Sequence, residues 1–160
     1  MTLENFQARL ATPFAVLGIR MRGELLTDIR YLPPQVATLA PLTRPAERAC
    51  KQLLAYLDDP EYVFELPFEY RGTQFQCKVW KQICRIPCGK TLTYKDIARR
   101  LGSAPRPVGG ACGANRIPLV IPCHRVVASD GLGGFMNSRD GLPLDIKRWL
   151  LRHEHAGARS

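Results

Sequence analysis

The chain has 160 residues, enough for one compact domain or two small subdomains sharing a core, and no more. No stretch of about 18 uncharged apolar residues occurs, and Met1 to Leu10 has neither a basic start nor an apolar run, so neither a membrane span nor a signal peptide is expected and the reducing cytoplasm is the expected location. The net charge of +9 is uneven: residues 1–70 carry 7 basic and 9 acidic side chains, a net of −2, whereas residues 71–160 carry 16 and 5, a net of +11, which suits a C-terminal half that faces a polyanion.

In chain order, Phe14 to Arg20 and Leu25 to Tyr31 alternate as strands, with Gly18 and Gly23 as punctuation, and predict a small antiparallel sheet. Thr43-Arg-Pro45 opens a helix whose apolar stripe is Cys50, Leu53, Leu54 and Leu57, and Asp58-Asp-Pro60 stops it. Thr73-x-x-Gln76 is a capping box before a helix with Phe75, Val79, Ile83 and Ile86 on one face. Thr93-x-x-Asp96 is a second box, and Gly102 is placed to end that helix. After the turn Ser103-Ala-Pro105 comes Arg106-Pro107, with proline suited to the first turn of the next helix. Two short helices joined in this way form a helix-turn-helix pattern. Asn115-Arg-Ile-Pro breaks the second of them. A final helix runs from Leu144 to about His153, with Ile146, Trp149, Leu150 and His153 on one face, and the tail after Glu154 is expected to fray. The pattern divides the chain into a sheet-plus-helix subdomain at 1–65 and a mostly helical domain at 66–160.

Six cysteines occur, at 50, 77, 84, 88, 112 and 123. Their spacing fits neither a disulfide framework nor a zinc site, so no metal is expected. Cys123 stands apart. It lies inside the apolar run Leu119-Val-Ile-Pro-Cys-His-Arg-Val-Val127, where a histidine and an arginine beside a thiol cost desolvation energy unless they have a task. A thiol reacts as its thiolate, so something must take its proton. His124 is the adjacent base; because neighbouring side chains diverge, it is expected to reach the sulfur through a water or after a turn. Glu154, at the end of the last helix, is the candidate to orient the imidazole.

Ile121-Pro-Cys-His-Arg-Val126 resembles the active-site signature of the O6-alkylguanine-DNA alkyltransferases, the methylated-DNA–protein-cysteine methyltransferases. Gly72-Thr-Gln-Phe-Gln-x-x-Val-Trp80, Ile86-Pro-Cys-Gly, Thr93-Tyr-x-x-Ile-Ala98, Arg106-x-Val-Gly-Gly-Ala111 and Trp149-Leu-Leu-x-x-Glu154 resemble the rest of the family's pattern, in order, so the likeness covers residues 72 to 154. It implies an α/β fold: an N-terminal RNase-H-like antiparallel sheet subdomain and a mostly helical, winged-helix-like C-terminal domain. It also implies a direct-reversal repair reaction, in which an alkyl group moves from O6-alkylguanine (or O4-alkylthymine) in double-stranded DNA onto Cys123, once per molecule, with the base flipped out of the duplex.

The roles that the resemblance implies follow position by position. Cys123 is the acceptor, His124 the base and Glu154 its orienter. Asn115 ties the helix-turn-helix to the active-site loop. Tyr94 rotates the target nucleotide and protonates the leaving base. Arg106 fills the gap left in the duplex. Gln76, Lys95 and Ser129 contact DNA, and Phe135 and Met136 shape the alkylguanine pocket. No cofactor is needed, and a monomer is expected.

The chain also departs from the family pattern. Pro107 follows the finger arginine where alanine is common, and Arg116 follows Asn115 where proline is usual. Gly134-Phe-Met-Asn-Ser-Arg-Asp-Gly141 replaces a Gly-Tyr-x-Gly-Gly stretch, and residues 1–49 hold no counterpart of the zinc ligands some members carry. Three rival functions fare worse. A lesion-flagging binding module lacks the acceptor cysteine, a cysteine hydrolase needs an oxyanion-hole motif, and a transcription regulator needs an effector domain or a dimer heptad.

Overall fold

The computed structural model describes residues 5–136 and 141–155, which form two compact units, residues 1–69 and 70–160. The fold is mixed α/β, a small antiparallel sheet in the first unit and a largely helical second unit, as expected from the sequence.

The first unit is a three-stranded antiparallel sheet in the order β1 (Ala8–Ala11), β2 (Val16–Arg22), β3 (Leu25–Leu32). The β2–β3 hairpin turns at Gly23, whose φ of +59° suits glycine, and an irregularity between Arg20 and Met21 shifts the register. Strand β1 has no counterpart in the sequence reading: Ala-Arg-Leu-Ala has no β-branched residue, and its strand character comes from pairing Ala8–Ala11 with Ile19–Val16. Phe14 precedes β2, in a turn where the Thr12 hydroxyl accepts from the Ala15 amide at 3.0 Å. Helix α1 (Arg44–Asp58) is capped by Thr43 and packs on β1 and β2. Its buried face is Ala46, Ala49, Cys50, Leu53 and Tyr56, whereas Leu54 is 48% exposed. The expected stripe is thus rotated, because the alanines that define the true face carry little hydrophobic signal.

In the second unit, both capping boxes close as read. The Thr73 hydroxyl accepts from the Gln76 amide and the Thr93 hydroxyl from the Asp96 amide, starting α2 (Gln74–Ile83) and α3 (Tyr94–Leu101); each cap is worth about 1 kcal/mol. Gly102 ends α3 with φ +64°. Helix α4 (Pro105–Gly113) starts two residues earlier than Pro107, which still falls in the first turn, where a missing N–H costs nothing. The Trp80 indole donates to the Ala111 carbonyl at 2.8 Å and pins α2 to α4. Ala111 therefore faces inward, while Gly109 and Gly110 look onto open space. Two short strands, β4 (Leu92–Thr93) and β5 (Val126–Val127), pair in parallel. They bring the start of α3 beside the 3₁₀ turn Cys123–Arg125. Helix α5 (Gly141–His153) starts three residues before Leu144 and buries Leu144, Ile146, Lys147, Leu150 and Leu151; Trp149 and His153 are half-buried and stack at 4.9 Å. Residues 156–160 of the tail, where fraying was expected, and residues 137–140 of the altered loop lie outside the described residues.

Candidate active site

Cys123 is 4% exposed and opens the 3₁₀ turn after Pro122. The approach to it is a tight reversal. Leu119 takes a left-handed conformation, φ +76°, which costs an L-residue about 1–2 kcal/mol, and the Ile121 amide bonds back to the Ile117 carbonyl. Asn115 holds this reversal together. Its carbonyl accepts from the Ile117 amide at 3.0 Å, and its Nδ2 donates to the Ile121 carbonyl at 2.9 Å and to the Cys123 Sγ at 3.1 Å. The last bond favours a thiolate. Against it, a hydrogen bond shared with Cys112 and the burial of the site hold the resting thiol well above its ordinary pKa.

Behind the sulfur lies a buried ionic cluster. His124 Nε2 and Glu154 Oε2 are 2.8 Å apart, with both side chains out of solvent. Burial pushes Glu154 up, but hydrogen bonds from His124 and Arg125 outweigh it and hold the carboxyl below its usual range. An ionised carboxylate only accepts, so Nε2 carries the proton and Nδ1 of the neutral ring has a free lone pair. Burial lowers the imidazole pKa, opposed by Glu154. Nδ1 is buried and has no hydrogen-bond partner among the described residues. Arg125 donates to both oxygens of Glu154 at 2.9 Å and to the Ile86 carbonyl at 2.6 Å. Successive residues of a 3₁₀ turn point about 120° apart, which separates the thiol from the ring that follows it.

Cys123 lies in the wall of a cleft of about 500 Å³. Helix α4 contributes Pro105, Arg106, Gly109, Cys112 and Gly113 to that wall; α3 contributes Tyr94, and the loop after β5 contributes Ala128, Gly133, Gly134, Phe135 and Met136. Gly133, φ +75°, packs so tightly that a Cβ there would come within 2.9 Å of the Tyr94 ring. The Tyr94 hydroxyl donates to the Gly134 carbonyl at 3.1 Å.

Cys123, Tyr94, Arg106, Phe135 and Met136 thus line one cleft, Asn115 is bonded to the acceptor sulfur, and His124, next in the chain to the acceptor, is paired with Glu154. Phe135 is buried and Met136 exposed. Gln76, Lys95 and Ser129 do not line the cleft. Lys95 and Ser129 are exposed, and the Gln76 carbonyl accepts from the Thr73 amide within its capping box. Three participants were missed from sequence. Arg125 braces Glu154, and its signal was present as an arginine inside an apolar run. Cys112, on α4, needed the fold to bring it to the thiol. Lys147 is fully buried, and its signal was its place between Leu144 and Leu151 on the apolar face of α5.

Residues 74–156 match the model of the 6-O-methylguanine DNA methyltransferase DNA-binding domain. The methylated-DNA–protein-cysteine methyltransferase of Candida albicans is 35% identical, over 98% of this chain and 89% of that protein. The regulatory protein Ada of Salmonella typhimurium is 40% identical over 69% of this chain, which spans only 32% of that longer protein. The crystal structure of Mycobacterium tuberculosis O6-methylguanine methyltransferase superposes with a TM-score of 0.79 at 32% identity, over 94% of this chain and 92% of that one. The mycobacterial protein has also been solved in complex with DNA, a structure that matches with a TM-score of 0.76 at 34% identity over 91% of this chain and 90% of that one. By family model, sequence identity and fold, this chain belongs to the methylated-DNA–protein-cysteine methyltransferase family.

Proposed function

We propose that this protein repairs O6-alkylguanine in double-stranded DNA by moving the alkyl group onto Cys123. The observation that carries the reading is the thiol itself: buried, held by Asn115 at the wall of an open cleft, and backed by a histidine whose Nε2 is committed to Glu154 and whose Nδ1 is free. The sulfur loses its proton to Nδ1 through one water. Ionised Glu154 offsets the imidazolium charge as it forms, and the Asn115 amide steadies the thiolate. The thiolate displaces the base at the alkyl carbon: an S–C bond forms, the C–O6 bond breaks and the departing guanine takes up one proton from the Tyr94 hydroxyl, which is reprotonated through water by the His124 imidazolium, so the proton taken from the thiol ends on the guanine and the imidazole returns to neutral. Atoms and charge balance without any oxidant or cofactor. The thioether cannot release its alkyl group, so each molecule acts once.

The target atom lies on a base edge inside the stack, so the nucleotide must leave the duplex to reach a cleft of this kind. Arg106 stands on the rim, in the first turn of a helix whose outer face is glycine, and fills the vacated space. Gln76, Lys95 and Ser129 lie on elements that flank it and supply backbone contacts. The second unit, with its net positive charge, carries both docking and chemistry, and one chain suffices. Six free cysteines suit a reducing cytoplasm. The test is incubation with duplex DNA carrying one labelled O6-methylguanine, followed by peptide mapping. Close to one methyl group per chain is expected on the Cys123 peptide, and none with Cys123→Ser, whose hydroxyl has too high a pKa for the same base. Label on Cys84, Cys88 or Cys112, or many lesions processed per chain, overturns the mechanism.

A further inference from the structure

Lysine is almost never fully buried, yet Lys147 of α5 is 0% exposed. A buried ammonium is tolerated only when its donors are all met. Here they are: Nζ donates to the Val126 carbonyl at 2.7 Å, to Leu132 at 2.7 Å and to Gly134 at 2.8 Å. An apolar side chain at this position would cost less to bury, so stability alone does not account for the charge. What the three carbonyls share is their place. Val126 follows the turn that presents Cys123. Leu132 and Gly134 flank Gly133 in the glycine-rich loop that walls the cleft. The Gly134 carbonyl also takes the Tyr94 hydroxyl. The ammonium lies 5.8 Å from the Tyr94 ring and 6.0 Å from that of Phe135.

We propose that Lys147 is a positioning residue for the transfer: its ammonium ties the backbone behind the acceptor to the loop that forms the opposite wall, and so fixes both the cleft width and the acceptor on which the Tyr94 hydroxyl waits. Loop residues 131–134 include three glycines and have little side-chain packing of their own to hold them. Without the ammonium, the Leu132 carbonyl must find water and the Gly134 carbonyl keeps the Tyr94 hydroxyl alone, which wets the cleft and lets the wall drift. The Tyr94 hydroxyl then loses its fixed partner, while the DNA-facing surface of α3 and α4 is untouched. This inference rests on the functional reading above.

The test uses the full-length protein in single-turnover transfer from duplex DNA carrying O6-methylguanine, beside its dissociation constant for undamaged duplex. Lys147→Met keeps the stem and removes the donors; the transfer rate at saturating DNA should fall about 100-fold, the scale of a misplaced reacting group. Lys147→Arg keeps the charge, but its planar fork cannot meet three converging carbonyls, so a fall of about tenfold is expected. In both, the dissociation constant should stay within about twofold, a split that general loss of structure would not produce. Either folded variant transferring at the wild-type rate overturns the proposal. So do two variants that both lose cooperative melting, since Lys147 is then a folding residue only. A wild type that takes up no methyl group sinks the functional reading instead.

Discussion

The two units handle buried charge differently. Among the described residues, four polar or charged side chains are buried: Asp28 in the first unit, and His124, Lys147 and Glu154 in the second. Asp28 lies on the sheet between Arg20 at 3.9 Å and Arg30 at 3.7 Å, both partly exposed, an arrangement with one charge to satisfy and solvent nearby. The other three belong to the region around a single thiol: His124 and Glu154 pair with each other, Arg125 adds two bonds to Glu154, and Lys147 meets three backbone carbonyls. The sheet unit uses ordinary means of cohesion, such as the Phe6, Val16 and Leu32 cluster and the close approach of Gly18 to the Phe6 ring. The lesson is that burial alone does not mark a site; burial of several charges around one nucleophile does.

Substitutions can break this contrast. The largest effect is expected from Glu154→Gln. The amide holds the His124 ring but cannot offset its charge, so transfer should slow about 100-fold without moving the alkylated residue, measured by single-turnover kinetics and mapping. Stability gives a second reading. The folded carboxyl is depressed below its ordinary value of 4.5, so its contribution is complete above that pH and is lost as the pH falls below it toward the folded value. The variant should therefore show a flatter acid limb of melting temperature against pH; an unchanged limb breaks the assignment of charge. A middle effect is expected from Arg106→Ala. Repair in duplex DNA should fall about tenfold or more, while reaction with free O6-alkylguanine base stays near wild type, because an inserted side chain stabilises the extruded state and not the bond exchange. Equal losses on both substrates would remove the finger role. The smallest effect on chemistry is expected in the sheet unit. Leu53→Ala should cost about 3 kcal/mol of stability through the cavity it leaves, yet transfer per folded molecule should be unchanged. A matching loss of rate would show that the units are not separable in function.

Much of this was legible in the sequence, and unevenly. The starts of α2 and α3 follow from local chemistry, since a capping box is completed within four residues. Strand β1 is not local: its residues are strand-like only once β2 is beside them. The buried face of α1 was misread because Ala46 and Ala49 define it with side chains too small to register as apolar. In the site, Cys123, His124 and Asn115 announce themselves by motif, and Glu154 by its place at the end of α5. Arg125 and Lys147 show only that a cation sits among apolar neighbours, not its role, because what matters about them is which carbonyls and carboxylates they meet across separations of 13 to 39 residues. Spacing along a chain carries no record of such meetings.

The raised pKa of Cys123 has a consequence for the protein in storage. If Cys123 is used once, as proposed, it must not be spent by accident, and a cell is full of small electrophiles and peroxides. Cys123 is nearly sealed from solvent, shares its proton with a neighbouring thiol and relies on a base that is itself reluctant to charge. At rest it is a poor target for alkylating agents and oxidants alike. On the proposed function, that restraint keeps an acceptor meant for a single transfer from being used up before it meets a lesion.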